Sequence, residues 1–148
     1  MAADRHRDPE GLSRTAPGAA VVLDSNFLFI PLRFGLDIFD ELHRLLGEPL
    51  RILVPKPVIE ELRLLRLDAK PSFVKEIDFA VGLVERCEVL DENLDPGENV
   101  DDFILRITSR TGYPVATNDA DLRQRLRAVG VPVVYMRQRA FLEIDGNI

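Results

Sequence analysis

The chain has 148 residues, 46% of them apolar and 30% charged, with a net charge of -6. That is the size of one ordinary domain with enough apolar material for a core, and no apolar run nears the ~20 residues a bilayer-spanning helix needs. The negative balance excludes a protein that coats nucleic acid through a positive surface, but not an enzyme that meets phosphates through metal ions.

Cys87 is the sole cysteine and His6 and His43 the only histidines, so an internal disulfide and a zinc-ligand spacing are both excluded and a reducing compartment is expected. Residues 1–18 are polar and lack the apolar stretch of a secretion signal; they read as a flexible tail on a cytoplasmic protein, with one domain over 19–148. Lysine is confined to Lys56, Lys70 and Lys75. The arginine excess suits bidentate phosphate contacts, and a GC-rich genome would leave the same bias.

Ala19 to Leu23 is a short β-branched run, expected as a strand buried on both faces and ending directly in Asp24. Ser25 to Ile30 reads as a helical turn stopped by Pro31. Ile38, Phe39, Leu42, Leu45 and Leu46 recur at helical spacing, with Asp37 in the first turn and Gly47 as terminator. Arg51 to Val54 is a second strand closed by Pro55. Pro57 suits the first turn of the next helix, whose buried stripe is Val58, Leu62 and Leu65. At about 100° per residue Glu61 borders that stripe while Glu60 points away from it.

Phe73, Ile77, Ala80, Val81 and Val84 mark a further amphipathic helix between Ser72 and Arg86, and Cys87 to Leu90 a strand. The acidic stretch Asp91 to Asn99, with its Pro96-Gly97 turn signal, is a loop. Val100, Phe103, Ile104 and Ile107 form one face of a helix that ends near Gly112 and holds Asp101 and Asp102 in its first turn. Pro114 to Thr117 is a strand. Asn118-Asp119-Ala120-Asp121 then leads into a helix carrying Leu122, Leu126 and Val129. Val131 to Tyr135 is a last parallel strand, and Ala140 to Ile144 an edge strand or a short tail. Strand and helix alternate throughout, which gives a parallel sheet with helices on both faces.

In such a sheet, side chains just beyond the strands' carboxyl ends face the crevice where ligands bind. A buried strand ending in Asp24 needs a partner, a turn amide or a cation for that charge; the plain alternative is a cap for the Ser25 turn. Asn26 either orients Asp24 or serves the turn. Glu61, Asp101, Asp102 and Asp121 all lie in early helical turns, where an acid also complements the helix dipole by ~0.3–1 kcal/mol, and Asp119 is locally an ordinary N-cap, with Asn118 competing for that place. Of the adjacent pair, Asp101 is the better placed to point inward. Asp24 and Asp119 both follow parallel strands and project at one edge, where gathered carboxylates raise one another's pKa unless a cation lies between them. Oxygen-only acids suit Mg²⁺ or Mn²⁺, and such ions at a phosphodiester serve hydrolysis.

The motifs Val22-Leu23-Asp24-Ser25-Asn26, Val58-Ile59-Glu60-Glu61-Leu62 after a proline, Asp101-Asp102-Phe103-Ile104 and Val115-Ala116-Thr117-Asn118-Asp119-Ala120-Asp121-Leu122 together resemble the PIN-domain nucleases. The resemblance implies a three-layer α/β/α fold around a central parallel sheet and a divalent-metal-dependent endoribonuclease. It implies Asp24, Glu61, Asp101 and Asp119 as catalytic metal ligands with Asp121 beside them, and Asn26, Thr117 and Asn118 as supports. Asp24 through Pro31, Phe34-Gly35, Asp37-Ile38-Phe39 and the closing Val131 to Arg139 are similar to the branch that processes small-subunit ribosomal RNA precursors. The toxins of toxin–antitoxin pairs share the same acids. Implied partners are therefore a structured rRNA precursor, a ribosome-assembly factor or an antitoxin, or a second copy of the chain in a homodimer, with no membrane. Arg123, Arg125 and Arg127 after Asp119, and Arg137 and Arg139 after the last strand, are candidates for backbone phosphates, as are Lys56 and Arg33 in loops near the cleft; solvated surface charge is the alternative for each. A non-catalytic binding module would keep the same acids without turnover. A haloacid-dehalogenase-like phosphatase, which also starts from a strand ending in an acid, would need Asp where Asn26 stands.

Overall fold

The computed structural model describes residues 19–147, so the expected tail over 1–18 lies outside the described residues. The strands are β1 (Ala19–Leu23), β2 (Leu50–Pro55), β3 (Glu88–Leu90), β4 (Val115–Ala116), β5 (Val133–Arg137) and β6 (Phe141–Asp145); the helices are α1 (Ile30–Phe34), α2 (Ile38–Leu46), α3 (Lys56–Leu67), α4 (Pro71–Leu83), α5 (Val100–Thr111) and α6 (Ala120–Ala128). They form one sheet in the order β3-β2-β1-β4-β5-β6. Neighbours from β3 to β5 run parallel, and β6 lies antiparallel against β5.

The position of β1 follows from its composition. Val21, Val22 and Leu23 are completely buried, as five residues with no polar alternation must be when both faces are covered. From β1 the chain builds outward through β2 to β3, then crosses to the other side of β1 for β4 and β5. The sheet's direction of growth therefore reverses between β1 and β4, and the carboxyl ends of these two strands flank the switch point where such sheets open a crevice. Register fixes what meets there. Leu23 pairs with Ala116, and the Asp24 N–H donates to the Ala116 carbonyl at 3.0 Å, so Asp24 and Thr117 leave the sheet side by side.

Three local expectations are corrected. Pro31 does not stop a helical turn. The turn Ser25–Phe29 is 3-10, and Pro31 sits in the first turn of α1, where its missing N–H is no loss; Gly35, in the left-handed region at φ 66°, ends that helix. Leu65 and Val129 are not core residues, being 46% and 52% exposed: Leu65 lies in the last turn of α3, and Val129 is the residue that caps α6, where the helical repeat has already ended. Finally, Asp37 is the N-cap of α2, accepting from the Phe39 and Asp40 N–H groups, rather than a first-turn residue. Ala140 to Ile144 does form an edge strand, displaced by one residue. Its Leu142 N–H is taken by Glu41 Oε1 of α2 at 3.2 Å, which satisfies an edge that would otherwise present an open donor.

Leu23→Ala, at a fully buried site, is expected to lower unfolding free energy by about 2–5 kcal/mol, whereas Leu67→Ala, at a position 78% exposed, stays within about 0.5 kcal/mol of the parent. Urea denaturation midpoints at constant slope check both.

Candidate active site

Asp24 is 4% exposed and its carboxylate is held from three directions. Oδ1 accepts from the Ser25 N–H at 2.8 Å; Oδ2 accepts from the Thr117 hydroxyl at 2.8 Å and from Asn26 Nδ2 at 3.2 Å. Asn26 uses its other end as well, accepting the Asn118 N–H on Oδ1 at 3.0 Å. Asn118 Oδ1 in turn accepts the Met136 N–H of β5 at 2.8 Å, and Thr117 Oγ1 accepts the Asp119 N–H at 3.1 Å. Four consecutive links thus tie the ends of β1, β4 and β5 into one network, with Asp24 as its buried acceptor.

Burial pushes the Asp24 carboxyl up to about 6; the Thr117 and Ser25 hydrogen bonds oppose that, and the neighbouring charges of Asp101 and Glu61 add to it. Asp101, in the first turn of α5, is half-buried and is raised by desolvation and then by the charge of Asp119, with Arg125 opposing and Asp102 and Asp121 adding. Glu61 is half-buried on α3, whereas Glu60 is exposed. Asp24 thus faces acids from two other elements, and Asp101 faces the acids at the start of α6.

The remaining acids are separated by what already holds them. Asp119 caps α6, accepting the Asp121 and Leu122 N–H groups at 2.9 and 3.2 Å, both on Oδ1, which leaves Oδ2 uncommitted to the helix. Asp121 is exposed on the first turn. Asp102 is paired with Arg125 of α6 at 2.8 Å, and that bond holds its carboxyl below the usual range. The Asp102–Arg125 pair and the Met136 N–H were beyond sequence reasoning, since one bridges two helices and the other is backbone. The arginines divide likewise. Arg123 pairs with Asp145 at 2.9 Å and lies 3.7 Å over the Tyr135 ring; Arg137 pairs with Glu143 at 2.9 Å; Arg127 reaches Asp145 at 3.2 Å; Arg33 pairs with Glu76, and Lys56 meets Asn93 and Asp91. Arg139 is exposed, at φ 57°.

The donor set is oxygen only. Among the described residues no three His, Cys, Asp or Glu side chains are gathered as a ready-made cage, which does not suit a structural zinc or a fully protein-ligated calcium. A hard ion that keeps several waters, meets part of the acid set through them and also takes substrate phosphate fits such a set, and an Asp24 whose charge is disfavoured by burial first and by the neighbouring carboxylates second is a site where a cation would favour the ionised form.

Comparison with known proteins supplies the relationship. A family model described as a PIN like domain matches residues 21–139, the whole of the sheet up to the turn before β6. The chain belongs to this family. The PIN-like domain is 28% identical over 131 residues to "Ribonuclease VapC4" of Methanocaldococcus jannaschii, spanning 86% of the chain and 98% of that protein. It is 34% identical over 122 residues to "rRNA-processing protein utp23" of Schizosaccharomyces pombe, spanning 80% of the chain and 45% of the yeast protein, less than half of that relative's length. In three dimensions it is similar to the structure of the PIN domain endonuclease Utp24, with a TM-score of 0.72, 25% identity, and 90% and 96% of the two chains covered.

Native Asp24 keeps its proton up to about pH 6, while an unfolded aspartate releases it near 3.8. Between those values the unfolded state binds fewer protons, so stability of the metal-free protein is expected to fall as pH rises through that window, by up to ~3 kcal/mol, and to stay lower above it. Asp24→Asn flattens this slope. Thr117→Val, which removes a bond favouring the ionised form, moves the upper end of the window to higher pH. Urea midpoints from pH 4 to 8 in chelator test both, and an unchanged slope in Asp24→Asn contradicts the assignment.

Proposed function

We propose that the PIN-like domain is a divalent-metal-dependent endoribonuclease, with Mg²⁺ or Mn²⁺ held by Asp24, Glu61, Asp101 and Asp119 and with Asp121 at the margin. The observation that carries this reading is the buried Asp24 carboxylate, anchored by Ser25, Asn26 and Thr117 at the switch point of the sheet and facing the charges of Glu61 and Asp101. A cation bound there supplies Lewis-acid activation of water and neutralises charge on the phosphate. The protein's own part is positional. Thr117 and Asn26 hold Asp24 Oδ2 and the Ser25 N–H holds Oδ1, Asn118 ties Asn26 to β5, and Asp119 uses one oxygen on α6 while the other remains for a ligand. Burial of Asp24 keeps water from solvating its charge, so an incoming cation would favour the ionised form and extend it below about pH 6.

The relatives favour RNA as substrate. One of the three is named a ribonuclease and one an rRNA-processing protein, and the resemblance in residues 24–39 and 131–139 points to ribosomal RNA, so a structured small-subunit rRNA precursor is the leading substrate, with a ribosome-assembly factor as partner. The second reading, a toxin ribonuclease restrained by an antitoxin, rests on the match to VapC4 over 98% of that protein's length. Growth arrest on expressing the wild-type chain, absent with Asp24→Asn, supports the toxin; accumulation of uncut small-subunit precursor on depletion supports processing.

Asp24→Asn and Asp101→Asn are each expected to reduce metal-dependent cleavage of RNA on the order of a hundredfold or more, whereas Asp102→Asn, already neutralised by Arg125, retains activity within a few-fold. Chelation abolishes cleavage and Mn²⁺ or Mg²⁺ restores it. RNA binding without any cleavage across a panel of structured RNAs and both metals would favour the non-catalytic binding module.

A further inference from the structure

Two cavities flank the acidic network, and they differ in charge. On the α3 side a groove of about 640 Å³ is lined by Leu64, Leu65 and Leu94 together with Glu60, Glu61 and Asp68, and no cationic side chain lines it. On the other side a cavity of about 450 Å³ lies between the start of α6 and the end of β5, lined by Thr117, Asn118, Arg123, Tyr135, Arg137 and Gln138, and none of its lining residues is acidic. Thr117 and Asn118 belong both to this cavity and to the network that holds Asp24, so the cavity opens directly beside the acids.

Two features of this second cavity point to a nucleotide. The Arg123 guanidinium lies 3.7 Å over the Tyr135 ring, which fixes a flat cationic surface of the kind on which unpaired bases stack. The lining itself carries two cations, Arg123 and Arg137, and no carboxylate, and the Asp145 that pairs with Arg123 is shared with Arg127 while Glu143 pairs with Arg137. The β5–β6 hairpin turn that closes the cavity is held by the Ala140 N–H on the Arg137 carbonyl at 3.2 Å, and its two central residues, Gln138 and Arg139, take the positive φ of 55° and 57° that such a turn requires. A phosphate chain running toward the acids would be repelled along the α3 groove and attracted along this one.

We propose that this cavity seats one unpaired nucleotide adjoining the scissile linkage, its base stacked on the Arg123 guanidinium, its edge met by the Gln138 amide and its phosphate by Arg137. The inference rests on the endoribonuclease reading and adds to it the side of the acidic site along which the RNA strand lies. The α3 groove is then not part of the RNA path.

The test uses the full-length chain carrying Asp24→Asn to stop cleavage, with Mg²⁺ and a single-stranded RNA decamer bearing 4-thiouridine at successive positions. Crosslinks mapped by mass spectrometry are expected at Tyr135, Met136 or Gln138 for one position and its neighbour. In the same background Arg123→Lys keeps the charge but loses the plane, and Gln138→Gly suits the backbone angle while deleting the amide; each is expected to weaken binding by about tenfold, whereas Leu94→Ser in the α3 groove leaves it unchanged. Crosslinking at Leu64 or Leu94, or full affinity in both cavity variants, overturns the subsite while leaving the endoribonuclease reading intact. Failure of the parent and the wild-type protein to bind any RNA overturns both.

Discussion

The 2.8 Å hydrogen bond from the Thr117 hydroxyl to Asp24 is the contact on which the site depends. It joins residues 93 positions apart in sequence, and it forms only because β1 and β4 are neighbours in a register that pairs Leu23 with Ala116. Without it Asp24 would be a carboxylate buried in a sheet with one turn amide and one asparagine for company, an arrangement whose desolvation penalty has little to offset it. With it, the oxygens are fixed in direction while their charge remains only partly satisfied. The same bond couples to Asn26, Asn118 and the Met136 N–H, so the mouths of three strands are set by one small polar network.

That network also gives the acids different duties. Asp119 is a helix cap with one oxygen in use, Asp102 is neutralised by Arg125, and Asp101 and Glu61 are left to act on Asp24 through space. Five carboxylates of similar sequence context thereby differ in availability, and the difference comes from which cation or amide each meets first. On the proposed endoribonuclease reading, a protein with a net charge of -6 must separate its repelling and attracting surfaces, and the arginines of α6 and β5 stand on one side of the network while the acids of α3 stand on the other.

Much of this was legible in the residues. An unbroken apolar run ending in Asp24 reads as a strand buried on both faces with a charge at its tip, and a second parallel strand leading to Asp119 reads as projecting an acid at the same edge; that the two strands are neighbours is visible only in the structure. Helical spacing separated Glu61 from Glu60 because burial repeats with the helical period. What the residues did not disclose was set by tertiary contact. The Asp102–Arg125 pair requires α5 and α6 to be adjacent, and neither helix carries a local sign of the other. Apolar spacing likewise placed Leu65 and Val129 in the core, since periodicity reports which face is buried but not where the neighbouring layer ends. Pro31 was read by its effect on the residue before it, yet its position in a first turn reversed its meaning.

On the proposed reading, Asp24 and the acids facing it form one cation site whose occupation favours the ionised form of Asp24. Calorimetric titration of Mn²⁺ into the RNA-free protein, repeated at pH 5.5 in buffers of different ionisation enthalpy and again at pH 8, measures this directly. The claim requires saturable binding that releases a proton at pH 5.5, tightens toward pH 8 with the release vanishing, and is lost in Asp24→Asn. Binding with no proton release at pH 5.5, or equal affinity in Asp24→Asn, would contradict it.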